Sequence, residues 1–453
     1  MLNVIICGAG RVGSSIARFL AHYNTHITVI DHDLELVKHM SNNLEVRGVH
    51  GFASHPEVLL QAGAKTADML IAVTHMDEVN MVVCEVAQAL FKIPLKIARI
   101  RSQSYLTPEY GLMFQDKNMS IDAVLSPESD VARHIVQGLE IPGSSSAVPF
   151  GPDGLAKLLY VTISPGAPAC HTEIGRLPSI TDSPHAIIAL VRNGETSLPT
   201  DETILLGGDQ LYVLSHTDHI KQVMTLFMAE ITPSSRVIIC GGGKVGFCLG
   251  QLIPIQFPEK DVTIIEHNEE CAYHLAQHLK NVNVICGSPL HSEILLEAVI
   301  EGADLIAVTN DDKVNMLSSL LAKSLGVNRT LSLVNDSAYV ALITSLGVDD
   351  VLIPHTITAA TILQHMQGSW AVNIFPLGIG FGEFIEAPIP PSASIVGTKL
   401  RSLEMPDHVR VAGVIRNGNL HLGNDFSIEP EDHLLFAATV DALPRIEKLC
   451  RSL

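Results

Sequence analysis

The sequence predicts an α/β protein in which two doubly wound parallel-sheet domains are each followed by a small α+β domain. Three observations carry that prediction. The glycine-rich loop GAGRVG at 8–13 returns as GGGKVG at 241–246, each directly behind an apolar run, NVIIC and RVIIC. ADMLIAVTHMDEVNM (67–81) is answered by ADLIAVTNDDKVNM (303–316), which pairs Thr74 with Thr309 and Asn80 with Asn315. A different unit, ALVRNGETSLPTDETILLGGDQLYVLS (189–215), is answered by GVIRNGNLHLGNDFSIEPEDHLLFAA (413–438). The order is A–B–A′–B′, a tandem duplication of a two-domain module.

In the first A unit, LNVIIC (2–7) is a short apolar run suited to a strand buried on both faces of a parallel sheet. The glycine loop follows at once, and SSIARFLAHY reads as a helix. THITVID is the second strand and ends in Asp31; DLELVKHM is helical and EVRGVH is the third strand. DMLIAVT (68–74) is the fourth strand, a helix runs from Asp77 to about Leu90, and LKIARIR (95–101) is the fifth strand. Strands alternating with helices of this length make a Rossmann-type sheet. HGFASHPEVLLQAG (50–63) and its echo CGSPLHSEILLEAV (286–299) extend the parallel to the second copy.

In the first B unit LLYVTIS, AIIALVRNG and DQLYVLS read as strands, RNGE and GGDQ as turns, and DHIKQVMTLFM (218–228) as a helix. Residues 141–154, IPGSSSAVPFGPDG, are rich in Pro, Gly and Ser and read as a linker. ITPSS (231–235) closes the first module, and Gln367-Gly368-Ser369 separates A′ from B′. The expected domains are therefore 1–140, 148–230, 233–366 and 370–453.

With 29 Lys+Arg against 48 Asp+Glu, the chain carries −19, which argues against nucleic acid and against insertion into an anionic lipid surface. Met1 leads straight into a strand-like run without a basic n-region, so no secretory leader is expected. No stretch reaches the roughly 18 apolar residues of a spanning helix. Trp370–Phe384 comes nearest and, broken by Asn373, Pro376 and Glu383, reads as strands. The eight cysteines form no C-x-x-C pair and read as reduced thiols; the 21 histidines show no ligand spacing, so no metal site is expected and most are read as surface residues.

The loop chemistry is specific in its context. Gly8 permits the turn after the strand, Gly10 clears the backbone for a pyrophosphate, and Gly13 lets the next helix approach the sheet. Asp31 stands 18 residues after Gly13, where a carboxylate accepts both ribose hydroxyls. Gly241, Gly243 and Gly246 repeat the pattern with Glu266 as the acid, which favours NAD(H) or adenosine nucleotides over NADP. Arg11 and Lys244 sit inside the two loops. Arg99 and Arg101 end the fifth strand, where ligands of such sheets lie, and suit terminal phosphates. RTLSLVND (329–336), the matching stretch, has no such arginines. The B units hold no Ser/His/Asp or Cys/His grouping; His171 and His185 are lone histidines, so an NAD-dependent oxidoreductase lacks its proton relay and no catalytic residue is assigned.

The A–B–A′–B′ order, the GAGRVG opening with Asp31, the G-x-A-S stretch at 51–54, DMLIAVTHMDEVNM, ARIR at 98–101 and the RNG turns together resemble one family. It is that of the peripheral subunits of bacterial Trk potassium uptake systems, with two tandem RCK (KTN) units, each an N-type Rossmann domain and a C-type domain. The resemblance covers essentially the whole chain. It implies a non-catalytic, cytoplasmic regulator at the inner face of the plasma membrane that binds NAD(H), ATP and ADP. It further implies a homotetramer whose ring of N domains docks on the membrane-spanning potassium-translocating subunit. On this sequence Gly8, Gly10, Arg11, Val12 and Gly13 would hold phosphates and Asp31 the ribose. Ala53, Thr74 and Asn80 would line the pocket, and Arg99 and Arg101 would meet the distal phosphates of ATP. Gly241, Gly243, Lys244, Val245, Gly246, Glu266 and Thr309 match them in the second copy, which should favour a dinucleotide or nothing. Phe52 departs from the polar residue usual at its position. An RCK regulator of another cation transporter would share every one of these motifs.

Overall fold

A computed structural model describes residues 1–450 except 108–110, 115–117, 230–233, 299–300, 367–369, 379, 403–407 and 424. The ITPSS boundary thus lies mostly, and Gln367-Gly368-Ser369 wholly, outside the described residues.

The first sheet contains β1 (Leu2–Cys7), β2 (Thr25–Asp31), β3 (Arg47–His50), β4 (Met69–Ala72), β5 (Leu95–Arg99) and β6 (Ala123–Leu125). All pairings are parallel and the order is β3-β2-β1-β4-β5-β6, with the chain reversing direction across the sheet between β1 and β4. Its helices are α1 (Arg11–Leu20), α2 (Leu34–Asn43), α3 (Pro56–Gln61), α4 (Asp77–Val86), α5 (Gln103–Leu106) and α6 (Pro127–Leu139). Val4 to Cys7 and Met69 to Ala72 are buried throughout, as strands covered on both faces must be. The Asp33 side chain caps α2 by accepting from Glu35 N at 2.8 Å.

A five-stranded antiparallel sheet follows: β7 (Ser144–Phe150), β8 (Ala156–Thr162), β9 (His185–Arg192), β10 (Glu195–Ser197) and β11 (Gln210–His216), ordered β10-β9-β11-β8-β7, with α7 (Ile220–Phe227) against it. Here the expected linker is corrected, because half of 141–154 is strand β7, paired with β8. Ser144, Ser145 and Ser146 are buried, and Ser144 Oγ donates to the Ser146 carbonyl at 2.6 Å. Ser145 Oγ is bonded to Asp350. Short hydroxyls satisfied as those of Ser144 and Ser145 are behave as interior groups, and composition alone cannot distinguish them from a solvated loop.

The second parallel sheet repeats the first with β12 (Arg236–Cys240), β13 (Asp261–Glu266), β14 (Val282–Cys286), β15 (Asp304–Ala307), β16 (Arg329–Leu333) and β17 (Asp350–Leu352), ordered β14-β13-β12-β15-β16-β17. Its helices are α8 (Lys244–Gln256), α9 (Glu269–His278), α10 (Ser292–Glu297), α11 (Asp312–Ser324), α12 (Val340–Ser345) and α13 (Pro354–Met366). The second antiparallel sheet has β18 (Asn373–Pro376), β19 (Gly382–Pro388), β20 (Val409–Arg416), β21 (Asn419–Leu422) and β22 (His433–Thr439), then α14 (Leu443–Cys450). Its order, β18-β19-β22-β20-β21, matches the first antiparallel sheet strand for strand.

The RNG repeat explains itself structurally. Asn193 and Asn417 have φ of 55° and 50° and each precedes a glycine of positive φ, which makes the tight hairpin turn. Arg192 forms a fork with buried Asp209 at 2.8 and 2.6 Å, and Arg416 one with buried Asp432 at 2.7 and 2.7 Å.

Two compact units result. The first combines the first parallel sheet, through Pro127, with α13 from His355 onward. There His355 lies beside Arg18, and burial, with Arg18 adding to it, lowers its pKa to about 4. The second unit holds α6 and everything else described. Within it α6 packs on the second parallel sheet, with Ser129 Oγ 3.8 Å from Cys248 Sγ of α8. The expected domain ends at 140 and 366 therefore fall at the C-terminal ends of helices that each pack in the unit of the other copy. Also in the second unit, the two antiparallel sheets share one core, in which the Phe150 and Phe384 rings meet edge to face at 4.9 Å. Gly151 N donates across this seam to Glu386 Oε2 at 2.9 Å, Asn373 Nδ2 to the same oxygen at 2.6 Å, and His433 Nδ1 lies 2.6 Å from Glu386 Oε1.

Among the described residues no helix is long and apolar enough to cross a membrane, and no group of three His, Cys, Asp or Glu could hold a metal ion. None of the eight cysteines forms a disulfide; Cys7, Cys84, Cys240, Cys248 and Cys450 are buried and Cys286 is exposed.

Candidate nucleotide-binding site

The three glycines of each loop have three different physical duties. Gly8 and Gly241 adopt φ of +115° and +108°, a region that only glycine enters freely. A Cβ on Gly13 would stand 1.8 Å from the Gly8 carbonyl oxygen, and one on Gly246 would stand 2.0 Å from that of Gly241. Gly10 and Gly243 are the reverse case: a Cβ there would meet nothing within 4 Å, so the space in front of the loop is open. α1 and α8 start at these open glycines and no side chain caps either helix. Their first-turn N–H groups and positive dipole ends therefore face that space, as a phosphate requires. Arg11 and Lys244 are exposed at its rim, and Val12 and Val245 are half-buried beneath.

The acids tie the loop to the neighbouring strand. Asp31 Oδ2 accepts from Ala9 N at 2.6 Å and Oδ1 from Asp33 N at 2.9 Å. Glu266 does the same with Gly242 N at 2.7 Å and Asn268 N at 2.8 Å. Both carboxylates are almost buried, and each has one face toward its glycine loop, where a ribose diol would reach it.

A second network lies at the ends of β4 and β5 and abuts the loop, since Thr74 N would be 3.0 Å from a Cβ on Gly8. Asn80 is fully buried; its Oδ1 accepts from Thr74 N and Oγ1 at 2.9 and 2.7 Å, and its Nδ2 donates to the Thr74 and Arg99 carbonyls at 3.2 and 2.9 Å. All of that amide's capacity is used in holding Thr74 and β5 in place. Asn315 binds Thr309 and the Leu333 carbonyl in the same way. Ala53, too, contributes its methyl group to the domain core.

Asp77, at the start of α4, was not among the expected site residues. Its carboxylate accepts from Arg101 N at 2.9 and 3.0 Å and from Ser102 N at 2.8 Å, while Arg101 Nη1 donates to the His75 carbonyl at 3.3 Å. Asp312 grips Asn335 N and Asp336 N likewise, and Asn335 Nδ2 as well. The positions of Arg99 and Arg101 are thus taken in the second copy by Leu333 and Asn335. Asp77 and Asp312 were visible in the repeat DEVNM/DKVNM, had identical spacing to Asn80 and Asn315 been read as a shared duty.

One residue more separates Asn80 from Arg99 than Asn315 from Leu333, although each pair makes the same bond. The extra residue is absorbed by a π-helical turn, Ala87–Phe91, that continues α4 and ends at left-handed Lys92 (φ 54°); α11 has none.

The fold and site define a tandem pair of Rossmann-type nucleotide-binding domains, each with an antiparallel α+β companion. Comparison with known proteins carries this further. The TrkA-N domain family matches residues 4–127 and 237–354, and the TrkA-C domain family matches 158–228 and 384–451. The chain is 37% identical over 453 residues to a Trk system potassium uptake protein TrkA of Azorhizobium caulinodans, with 99% of each chain covered. It is 34% identical to one of Halomonas elongata, with 99% of this chain and 98% of that one covered. The solved GsuK RCK domain superposes with a TM-score of 0.64 at 17% identity, covering 99% of this chain and 95% of that chain. A GsuK channel bound to NAD superposes with a TM-score of 0.63 at 16% identity, covering 99% and 79%, and both likenesses speak to the fold. The chain belongs to the TrkA family.

Proposed function

We propose that this chain is the cytoplasmic, nucleotide-sensing subunit of a potassium uptake system, and that it regulates transport without catalysing a reaction. The observation that carries this reading is the pair of glycine loops, each open in front and each tied to its own buried acid, in a chain whose relatives bear the name of potassium uptake proteins. NAD(H) fits both copies: loop N–H groups and the helix N-terminus suit a pyrophosphate, and Asp31 or Glu266 suits the ribose diol. ATP and ADP fit the first copy best, where Arg99 and Arg101 stand at the sheet end for the terminal phosphates and Leu333 and Asn335 stand in their place in the second.

As an effector, a nucleotide moves a gate only through its different affinity for two shapes of the assembly; about 1–3 kcal/mol is the usual size of such coupling. A homotetrameric ring of the N-type domains, seated on the membrane-spanning potassium-translocating subunit, is the assembly in which that difference reaches the pore. Potassium uptake by cells lacking this chain tests the reading. Uptake should fall and be restored by the intact chain but not by one carrying Asp31→Ala with Glu266→Ala. Uptake unaffected by loss of the chain would contradict it.

A further inference from the structure

A histidine directly follows the acid in both copies, although the acid itself changes from Asp to Glu. His32 Nδ1 lies 3.0 Å from Asp31 Oδ1, and His267 Nδ1 lies 2.9 Å from Glu266 Oε1. In each case the imidazole is mostly exposed, at 62% and 78%, over a carboxylate that is at 9% and 8%. The imidazole sits on the other oxygen from the one bound by Ala9 N or Gly242 N, the oxygen that also accepts from Asp33 N or Asn268 N. His32 is further braced by Phe52, whose ring stacks on it at 5.7 Å, and Phe52 in turn meets His55 at 5.5 Å. No part of the nucleotide site as described uses these imidazoles.

We propose that His32 and His267 set whether the adenosine ribose in each site can carry a 2′-phosphate. The inference rests on the nucleotide-binding reading above. A bare carboxylate at this place repels a 2′-phosphate, which is why an acid here selects NAD(H). An imidazolium beside it cancels that charge and donates a charge-assisted hydrogen bond to the phosphate; a neutral imidazole whose single N–H goes to the carboxylate does neither. Imidazole is the side chain that crosses between those states in the physiological range. Other titratable groups adjoin each ring. Around His32 these are Asp31 and Asp33 on its own segment, His50, whose Nε2 is 3.0 Å from the His32 carbonyl oxygen, and, beyond Phe52, His55 with Glu57 4.0 Å from it. Around His267 they are Glu266, the Glu269 and Glu270 of the following helix turn, and Cys286, which pairs with Glu266 across the sheet. The neighbours of His267 are acids and a thiol, whereas His50 and His55 stand with the acids around His32.

Calorimetric titration of the full chain with NADH and with NADPH, at about pH 8 and about pH 6, tests this. NADH reports the site itself, and the ratio of the two affinities reports the 2′-phosphate. The ratio should shift toward NADPH by about tenfold or more on acidification, and the His32→Ala, His267→Ala double variant should lose most of that shift. Replacing both by arginine, charged throughout, should give a ratio that favours NADPH at both pH values. An equal shift in the alanine variant would assign the effect to the phosphate's own protonation and overturn the proposal. Failure of NADH to bind the intact chain would instead overturn the nucleotide-binding reading, and this inference with it.

Discussion

Gly10 and Gly13 are three residues apart, yet their substitutions should have opposite signatures. Gly13→Ala drives a Cβ to 1.8 Å from the Gly8 carbonyl, so loop and helix must separate. It should cost about 2–4 kcal/mol of stability, readable as a lower melting temperature, together with nucleotide binding. Gly10→Ala meets no atom within 4 Å and should leave the melting temperature almost unmoved. It should still weaken nucleotide binding by about tenfold or more, because the methyl occupies the approach to the loop. Equal destabilisation by both variants would mean that the loop glycines serve the fold alone. At this scale the site was largely legible, since glycine duties and the acid at the end of β2 rest on local backbone geometry. Asn80 was legible as a residue but not as a role. Its burial comes from a carbonyl on β5, supplied by a strand that no local window contains.

Among elements, the legible ones were those with a long period and a repeat to check them against. The three-residue strands β6, β10 and β17 gave no pattern of their own and were missed. β7 was misread because its serines look like a linker until the hydroxyls of Ser144 and Ser145 are seen to be satisfied. The seam between the two antiparallel sheets has a pH dependence of its own. The hydrogen bond to Glu386, more than burial, which opposes it, holds the His433 pKa above its usual value. Burial would raise the Glu386 pKa, yet the bonds from His433, Asn373 and Gly151 together leave it below its usual value. A raised imidazole stabilises fully below its unfolded pKa and loses that contribution as pH rises through the folded one. A depressed carboxylate stabilises above its unfolded pKa and loses its share as pH falls through the folded one. The second unit should therefore be firmest between the carboxylate range and the raised imidazole range. Melting of the full chain from about pH 6 to about pH 8.5 should show a loss of stability that His433→Ala removes. An unchanged slope in that variant would contradict the role given to the pair.

At the scale of the whole molecule the duplication was plain in the sequence, but the exchange of α6 and α13 was not. Each helix follows its own sheet in the chain and packs in the unit of the other copy, and no amphipathic pattern says which of two similar sheets a helix will cover. The duplication is also unequal where ligands would differ: Arg99 and Arg101 give way to Leu333 and Asn335, Phe52 to Ser288, and the π turn after α4 has no counterpart. The central claim is that both copies keep a dinucleotide site while only the first keeps the arginines for terminal phosphates. Calorimetric stoichiometry with NADH and with ATP on the full chain tests it most directly. The account predicts two NADH but one ATP per chain, with the ATP site alone weakened by Arg101→Ala. Two equivalent ATP sites, or an Arg101→Ala chain that binds ATP as the intact one does, would contradict it.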